Sequence, residues 1–410
     1  MKLKDLQGEK IGVCVSGGLD SKTITKKFLD LGLDVVCFTA DLCQPDEDDI
    51  NDVIEKMAPC GVETIVVDIK QPMADICFET IKYQAMYDGG YWNSTGIGRA
   101  VTVKGLVAAM KEQGCTVLAH GATGRGNDQM RFERYVNVIA PEMKVYAPWR
   151  DGELLEEFPG RIEMVKYLHQ AGIEAFPGGE KSYSTDGNLA GLSHEAEDLE
   201  SMETPCTIVK PTMGVWPADA PDAAETVEIR FEKGNAVAIN GVEMGSLEAM
   251  ELANDIAGRN GIGFKNALEN RIIGTKSRGV YESPGMELLG QALVSVYQAT
   301  LDRRALLLFG QLSTLIANQV YDGRYYDPAT TAAKTAIDVF AEYATATVKV
   351  DLYKGNILFN SLTGCKASLY NEADSSMEAS DGLNPVSSQG FAEIQSVEAR
   401  SLAFAGQIQL

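Results

Sequence analysis

No apolar run in this 410-residue chain approaches the roughly 20 residues that a membrane-spanning helix needs. The opening Met1-Lys2-Leu3-Lys4-Asp5 also lacks the apolar stretch of a secretory signal. Both absences point to a soluble, cytoplasmic protein with no membrane partner. Histidine is scarce: His120, His169 and His194 are the only three, and their spacing fits no metal-ligand pattern. The eight cysteines include no Cys-x-x-Cys pair. Several, such as Cys14 within Ile11–Val15, sit in apolar runs where reduced core thiols belong. A disulfide framework is not expected in so large a chain. Basic residues are outnumbered, 36 against 58 acidic, for a net charge of −22. Such a surface repels phosphate backbones and argues against nucleic acid as a partner. Any anionic substrate must be met locally, by helix N-termini and a few placed cations.

What is present is a chain with 45% hydrophobic residues, enough for a full core and for two domains. Its first third alternates short β-rich runs with amphipathic segments. Strands are predicted over Lys10–Val15, Asp34–Asp41, Thr64–Ile69 and Cys115–Ala119, with a fifth at Val145–Pro148. Helical spacing fits Ser21–Leu31, Asp49–Ala58, Met73–Met86 and Arg99–Gln113 between them. This alternation predicts an α/β fold with a doubly wound parallel sheet, whose ligands sit beyond the C-terminal strand ends. A loop-rich crossing at Phe176–Asn188 leads into an α+β half, with hairpins around Gly234-Asn235 and Lys354-Gly355-Asn356 and helices over Glu287–Leu301 and Ala305–Val320. The expected division is a nucleotide-binding domain over 1–170, a second domain over 171–365 and a tail over 366–410.

The first strand runs into Val15-Ser16-Gly17-Gly18-Leu19-Asp20-Ser21 and then into a helix. Glycines let backbone amides approach an anion, and the helix N-terminus adds free N–H donors. Ser16 and Ser21 can donate to phosphate oxygens; Asp20 suits Mg²⁺ or the fixing of the loop. The Walker spacing is missing. The string resembles instead the loop of enzymes that split ATP to AMP and pyrophosphate. A second glycine-rich loop follows the fourth predicted strand, His120-Gly121-Ala122-Thr123-Gly124-Arg125-Gly126-Asn127-Asp128, and continues to Arg131 and Glu133. Asp128 is suited to an ammonium group and Arg131 to a carboxylate.

Further strings stand in order with these two: Phe38–Leu42, Tyr91–Arg99, Glu180–Asn188, Ser193–Glu200, Glu269–Gly274 and Lys276–Glu282. Together, from about residue 10 to about 360, they resemble the argininosuccinate synthase family of ATP pyrophosphatases. The resemblance implies C–N ligation of L-citrulline and L-aspartate through a citrullyl-AMP intermediate, with ATP as substrate and Mg²⁺ beside it. It places ATP on Val15, Ser16, Gly17, Gly18, Leu19, Asp20, Ser21, Ala40, Gly121 and Thr123. It puts aspartate on Thr95, Thr123, Asn127 and Asp128. Citrulline falls to Tyr91, Arg99, Asn127, Arg131, Ser184, Asp186, Ser193, Glu195, Glu269 and Tyr281. Asp20, Asp128 and Arg131 are the expected catalytic residues, and His120 is expected to be a strand-end hydrogen-bonder. The family's homotetramers imply that Ser387–Leu410 reaches across subunits.

The sequence departs from the family pattern in two places. Ser21-Lys22 stands where the family usually has Thr-Ser, so Lys22 is expected near the phosphates or in solvent. Cys43 replaces a glycine close to the expected adenine edge. These departures leave open a relative that condenses aspartate with a different ureido or amidino acceptor.

Overall fold

Five strands of the first half are β1 (Lys10–Cys14), β2 (Asp34–Asp41), β3 (Thr64–Asp68), β4 (Val117–His120) and β5 (Lys144–Tyr146). They form a parallel sheet in the order β3-β2-β1-β4-β5. β2 is buried along almost its whole length, as a central strand covered on both faces must be. Helices α1 (Leu19–Asp30), α2 (Asp52–Met57), α3 (Lys70–Lys82), α4 (Ser94–Glu112) and α5 (Asp128–Ile139) connect or follow these strands. The strand order reverses between β1 and β4, so the loops leaving these two strands part there and open a crevice.

The computed structural model describes residues 1–47, 49–88, 90–175, 183–378 and 382–409. The first part of the predicted crossing Phe176–Asn188, with the Glu180–Ser182 end of one motif, lies outside the described residues. So do Asp48 of an acidic turn and Leu410 of the tail.

Among the described residues the second half has nine more strands: β6 (Ser184–Asn188), β7 (Gly191–Glu195), β8 (Glu225–Glu232), β9 (Asn235–Ile239), β10 (Val242–Glu243), β11 (Phe264–Asn270), β12 (Lys276–Glu282), β13 (Ala346–Tyr353) and β14 (Asn356–Thr363). The predicted hairpins belong to an antiparallel sheet ordered β10-β9-β8-β13-β14. A separate antiparallel sheet, β11-β12-β7-β6, was not foreseen from the sequence, and neither were the helices Ser246–Arg259 and Pro328–Ala341. One large apolar cluster runs from Phe38 and Trp92 through Leu289 to Val348, so the two halves share a core. Met1–Lys366 is one compact unit.

Ala367–Leu410 is a second unit. Within it Ser387–Phe404 is a helix of 18 residues, which the sequence reading did not assign. It has no buried residue, and Phe391, Ile394 and Val397, spaced three residues apart, are all exposed. No helix among the described residues is long and apolar enough to cross a membrane.

Candidate active site

β1 ends where Val15 donates its N–H to the Phe38 carbonyl at 2.9 Å. The chain then turns at Gly17, whose φ of +74° suits glycine, with the Lys56 stem packed where a Cβ would project. Val15 and Leu19 are core residues, so their side chains anchor the loop at both ends. Ser21 Oγ accepts from Ser16 N at 3.0 Å, which folds the loop onto the first turn of α1. Ser21 therefore braces the loop through one lone pair and keeps its hydroxyl proton for a ligand oxygen.

Lys22 corrects both alternatives drawn from the sequence. It is neither beside the phosphate loop nor in solvent: it is 2% exposed, and its Nζ donates to the Glu174 carbonyl at 2.8 Å. Burial lowers its pKa. Cys43 has φ +56°, the left-handed region in which a glycine is at ease. Its side chain is not in the cleft, which is lined instead by its neighbours Leu42 and Gln44.

A cleft of about 340 Å³ opens over the strand ends. Its floor comes from Cys14, Val15 and Ser16 after β1, Ala40 at the end of β2, and His120 and Gly121 at the end of β4. Asp20 and Ser21 border it; the Gly17, Gly18 and Leu19 side of the loop does not. Asp20 has its pKa raised by burial. His120 accepts from Ala122 N through Nδ1 at 3.2 Å, the strand-end role expected of it. Burial and then Arg150 hold its pKa down to about 4, so the ring is neutral at physiological pH.

A second cleft, of about 330 Å³, shares Gly121, Ala122, Asp128, Thr185 and Asp186 with the first. It gathers Tyr91, Thr95, Thr123, Asn127, Arg131, Ser184, Ser193, Glu195, Glu269 and Tyr281. The unforeseen sheet explains how. Its register aligns Asp186 with Ser193 and Tyr281, and Ser184 with Glu195 and Gly279, while Glu269 lies opposite Ser277. Alternate residues share a face, so all six candidates on these strands point to one side. Ser-x-Asp at 184–186 and Ser-x-Glu at 193–195 carried that signal in the sequence. Thr123 borders only this second cleft, not the one above the phosphate loop.

Charge is organised around Arg99 on α4. Its Nε reaches Asp128 Oδ2 at 2.9 Å and its Nη2 reaches Asp186 Oδ2 at 2.5 Å. Arg131, 3% exposed, holds the other Asp128 oxygen at 3.0 Å and donates Nε to the Tyr321 carbonyl at 2.9 Å. Burial opposes the Asp128 charge, but Arg99 and Arg131 together outweigh it and keep the carboxyl below its ordinary range. Asp186 is pushed upward by burial, which Arg99 only partly offsets. Glu195 rises to about 7, through burial first and then Glu269, Asp186 and Asp128.

Glu269, 4% exposed, accepts from the hydroxyls of Tyr91, Tyr281 (3.2 Å) and Tyr321 (2.8 Å). Tyr91 stacks on Tyr281 with ring centroids 4.2 Å apart. Tyr321 was missed by sequence reasoning; its hydroxyl joins Glu269 to Asn127 Nδ2, at 2.8 Å. Asn127 also accepts from Ile272 N at 2.9 Å, so it ties the second glycine loop to the turn after β11.

A parallel sheet with a glycine loop at its switch point, opening into a polar second cleft, defines a nucleotide-binding α/β enzyme with an added substrate-holding half. Residues 10–174 match the family described as the arginosuccinate synthase N-terminal HUP domain, and residues 183–402 the arginosuccinate synthase C-terminal domain. The argininosuccinate synthase of Rhodopirellula baltica is 39% identical over 388 residues, covering 94% of this chain and 96% of that relative. The chain belongs to the argininosuccinate synthase family.

Proposed function

We propose that the enzyme binds ATP over the phosphate loop, with adenine beside Ala40, and holds L-citrulline and L-aspartate in the adjoining cleft. The observation that carries this reading is the wall common to both clefts, Gly121, Ala122, Asp128, Thr185 and Asp186. A group reaching across it from one cleft meets the contents of the other. The ureido oxygen of citrulline attacks the α-phosphorus, the bond to the bridging oxygen breaks, and pyrophosphate departs. The aspartate amine then attacks the ureido carbon of citrullyl-AMP. The carbon–oxygen bond breaks, AMP leaves, and the nitrogen gives up a proton to become argininosuccinate. Glu195, with a pKa near 7 in the same cleft, is suited to take that proton. Otherwise the protein's contribution is position and charge.

Arg131 is the cation of the second cleft assigned to a substrate carboxylate; Arg99, which lines the first cleft, is assigned to a carboxylate reaching across the shared wall, and Asp128 to the aspartate ammonium. Tyr91, Glu269 and Tyr281 form the citrulline end, with Ser184, Ser193 and Asp186. Thr95, Thr123 and Asn127 complete the aspartate side. Among the described residues no three His, Cys, Asp or Glu side chains cluster as a metal cage. Mg²⁺ would arrive with ATP, with Asp20 the loop carboxylate able to complete its shell, and it would neutralise the charge of the pyrophosphate. The division at about residues 170 and 365, a cytoplasmic location and a homotetramer using the Ser387–Phe404 helix belong to the same proposal.

The test is release of AMP and pyrophosphate with ATP, citrulline and aspartate, omitting each in turn. All three should be required, and Asp128→Asn should raise KM for aspartate more than for citrulline. Pyrophosphate release that ignores citrulline, or depends on another ureido or amidino acceptor, would sink the reading.

A further inference from the structure

At the end of β2 the backbone offers two groups on the side that β1 has left, the Ala40 carbonyl and the Leu42 N–H. The last rung from β1 is Val15 N to the Phe38 carbonyl, so beyond it these groups face the first cleft. Neither is free. Gln44, which lines the same cleft, folds its carboxamide back on them: Nε2 donates to the Ala40 carbonyl at 2.7 Å, and Oε1 accepts from Leu42 N at 2.8 Å. The orientation of the amide is fixed by its partners, since only its oxygen can accept from Leu42 N–H.

A donor on a carbonyl and, beside it, an acceptor on an N–H is the pattern that the N6 amino group and N1 of adenine present on one edge. Hypoxanthine presents the reverse: O6 would face the Ala40 carbonyl and N1–H would face the Leu42 N–H. The walls around this edge are apolar, from Phe38, Leu42, Ile50, Val53 and Leu106, and suit a flat aromatic base.

We infer that the Gln44 carboxamide is an internal stand-in for adenine, holding the base-reading edge of Ala40 and Leu42 until the nucleotide displaces it. The inference rests on the proposal that the first cleft binds ATP. The stand-in keeps two backbone groups paired until a base takes its place. It also sets a competition that ATP must win: the affinity observed is the intrinsic affinity reduced by the fraction of molecules whose edge is free. A base with the wrong edge cannot exchange hydrogen bonds one for one and leaves the amide in place.

The experiment is calorimetric titration of the full chain with Mg·ATP, Mg·ITP and tripolyphosphate, without amino-acid substrates. Wild type is compared with Gln44→Ala and with Gln44→Met, which keeps the length of the side chain but neither hydrogen bond. Both variants should bind ATP about tenfold more tightly, the scale of one net hydrogen bond of competition, with tripolyphosphate affinity unchanged. Wild type should bind ITP at least about tenfold more weakly than ATP. Unchanged or weakened ATP binding in both variants, with tripolyphosphate unaffected, overturns the inference, because Gln44 is then inert or contacts the base directly. A parallel loss of ATP and tripolyphosphate also overturns it, making Gln44 a brace of the loop. If wild type binds neither ATP nor tripolyphosphate, the assignment of the cleft itself fails.

Discussion

Replacing Arg99 with methionine removes a guanidinium from between two carboxylates while keeping much of its stem. Breaking a buried ion pair from one side typically costs about 3–5 kcal/mol. Two features of the structure lower that figure. Asp128 keeps Arg131 at 3.0 Å, and 36% of the Asp186 side chain is open to the cleft and can hydrate. A loss of about 2–3 kcal/mol is therefore expected at pH 7.5. The pH dependence has a defined sign. Asp186 already has its folded pKa raised by burial, so its charged form costs stability above that pKa and the cost is relieved as pH falls through it. Without Arg99 the pKa climbs further, and the window of relief moves toward neutrality. The destabilisation should be smaller at pH 5.5 than at pH 7.5, as Asp186 takes up its proton. Urea unfolding of wild type and Arg99→Met, followed by circular dichroism at both pH values, measures this. A variant within 1 kcal/mol of wild type at pH 7.5, or a deficit that grows on acidification, would refute the reasoning.

Cys43→Gly should stabilise the fold by about 0.5–1 kcal/mol, because φ +56° is strained for cysteine and relaxed for glycine; the shift of the thermal midpoint reads it. Glu195→Gln should flatten the rise of kcat/KM for aspartate between pH 6 and 8, since the wild-type carboxyl, at about 7, must lose its proton to accept one. An identical profile in the variant removes Glu195 from that role. Lys22→Met probes a lysine whose pKa is lowered by burial. The unfolded chain then binds more protons below pH 10.5, so wild type gains stability as pH rises toward that value, and the variant should lack this gain. Paired urea titrations at pH 8 and 10 test it, and equal slopes would contradict the account.

The first half was legible because its signals are local. A central parallel strand such as Asp34–Asp41 announces itself by the apolar run Val35–Phe38, and the glycine pair after β1 marks the turn. The sheet of β6, β7, β11 and β12 was not legible, because polar residues occupy both of its faces. His194 and Glu282, nearly fully buried and paired at 2.7 Å, sit opposite the cleft where an apolar face would be expected. The fate of Lys22 depended on a carbonyl 152 residues away, and the link from Tyr321 to Glu269 on a carboxylate 52 residues away. No window of sequence contains such pairs. The residues proposed for the site could be named individually from the resemblance, but not the network that joins their hydrogen-bonding groups to one another.

The alternation on β6, β7, β11 and β12 has a consequence for how this chain tolerates length changes. Ser184 and Asp186 reach the cleft only because the two-residue turn Leu189–Ala190 sets β6 against β7 in the observed register. Inserting or deleting one residue there, if β6 slides to compensate, turns Ser184 and Asp186 away from the cleft together, leaving Thr185 and Gly187, which already border it, in their place. Arg99 would lose one of its two carboxylates in the same event. Substitutions can tune this region one side chain at a time, but an indel resets a whole strand, so the turn should be as intolerant of length variation as the cleft is of losing Asp186.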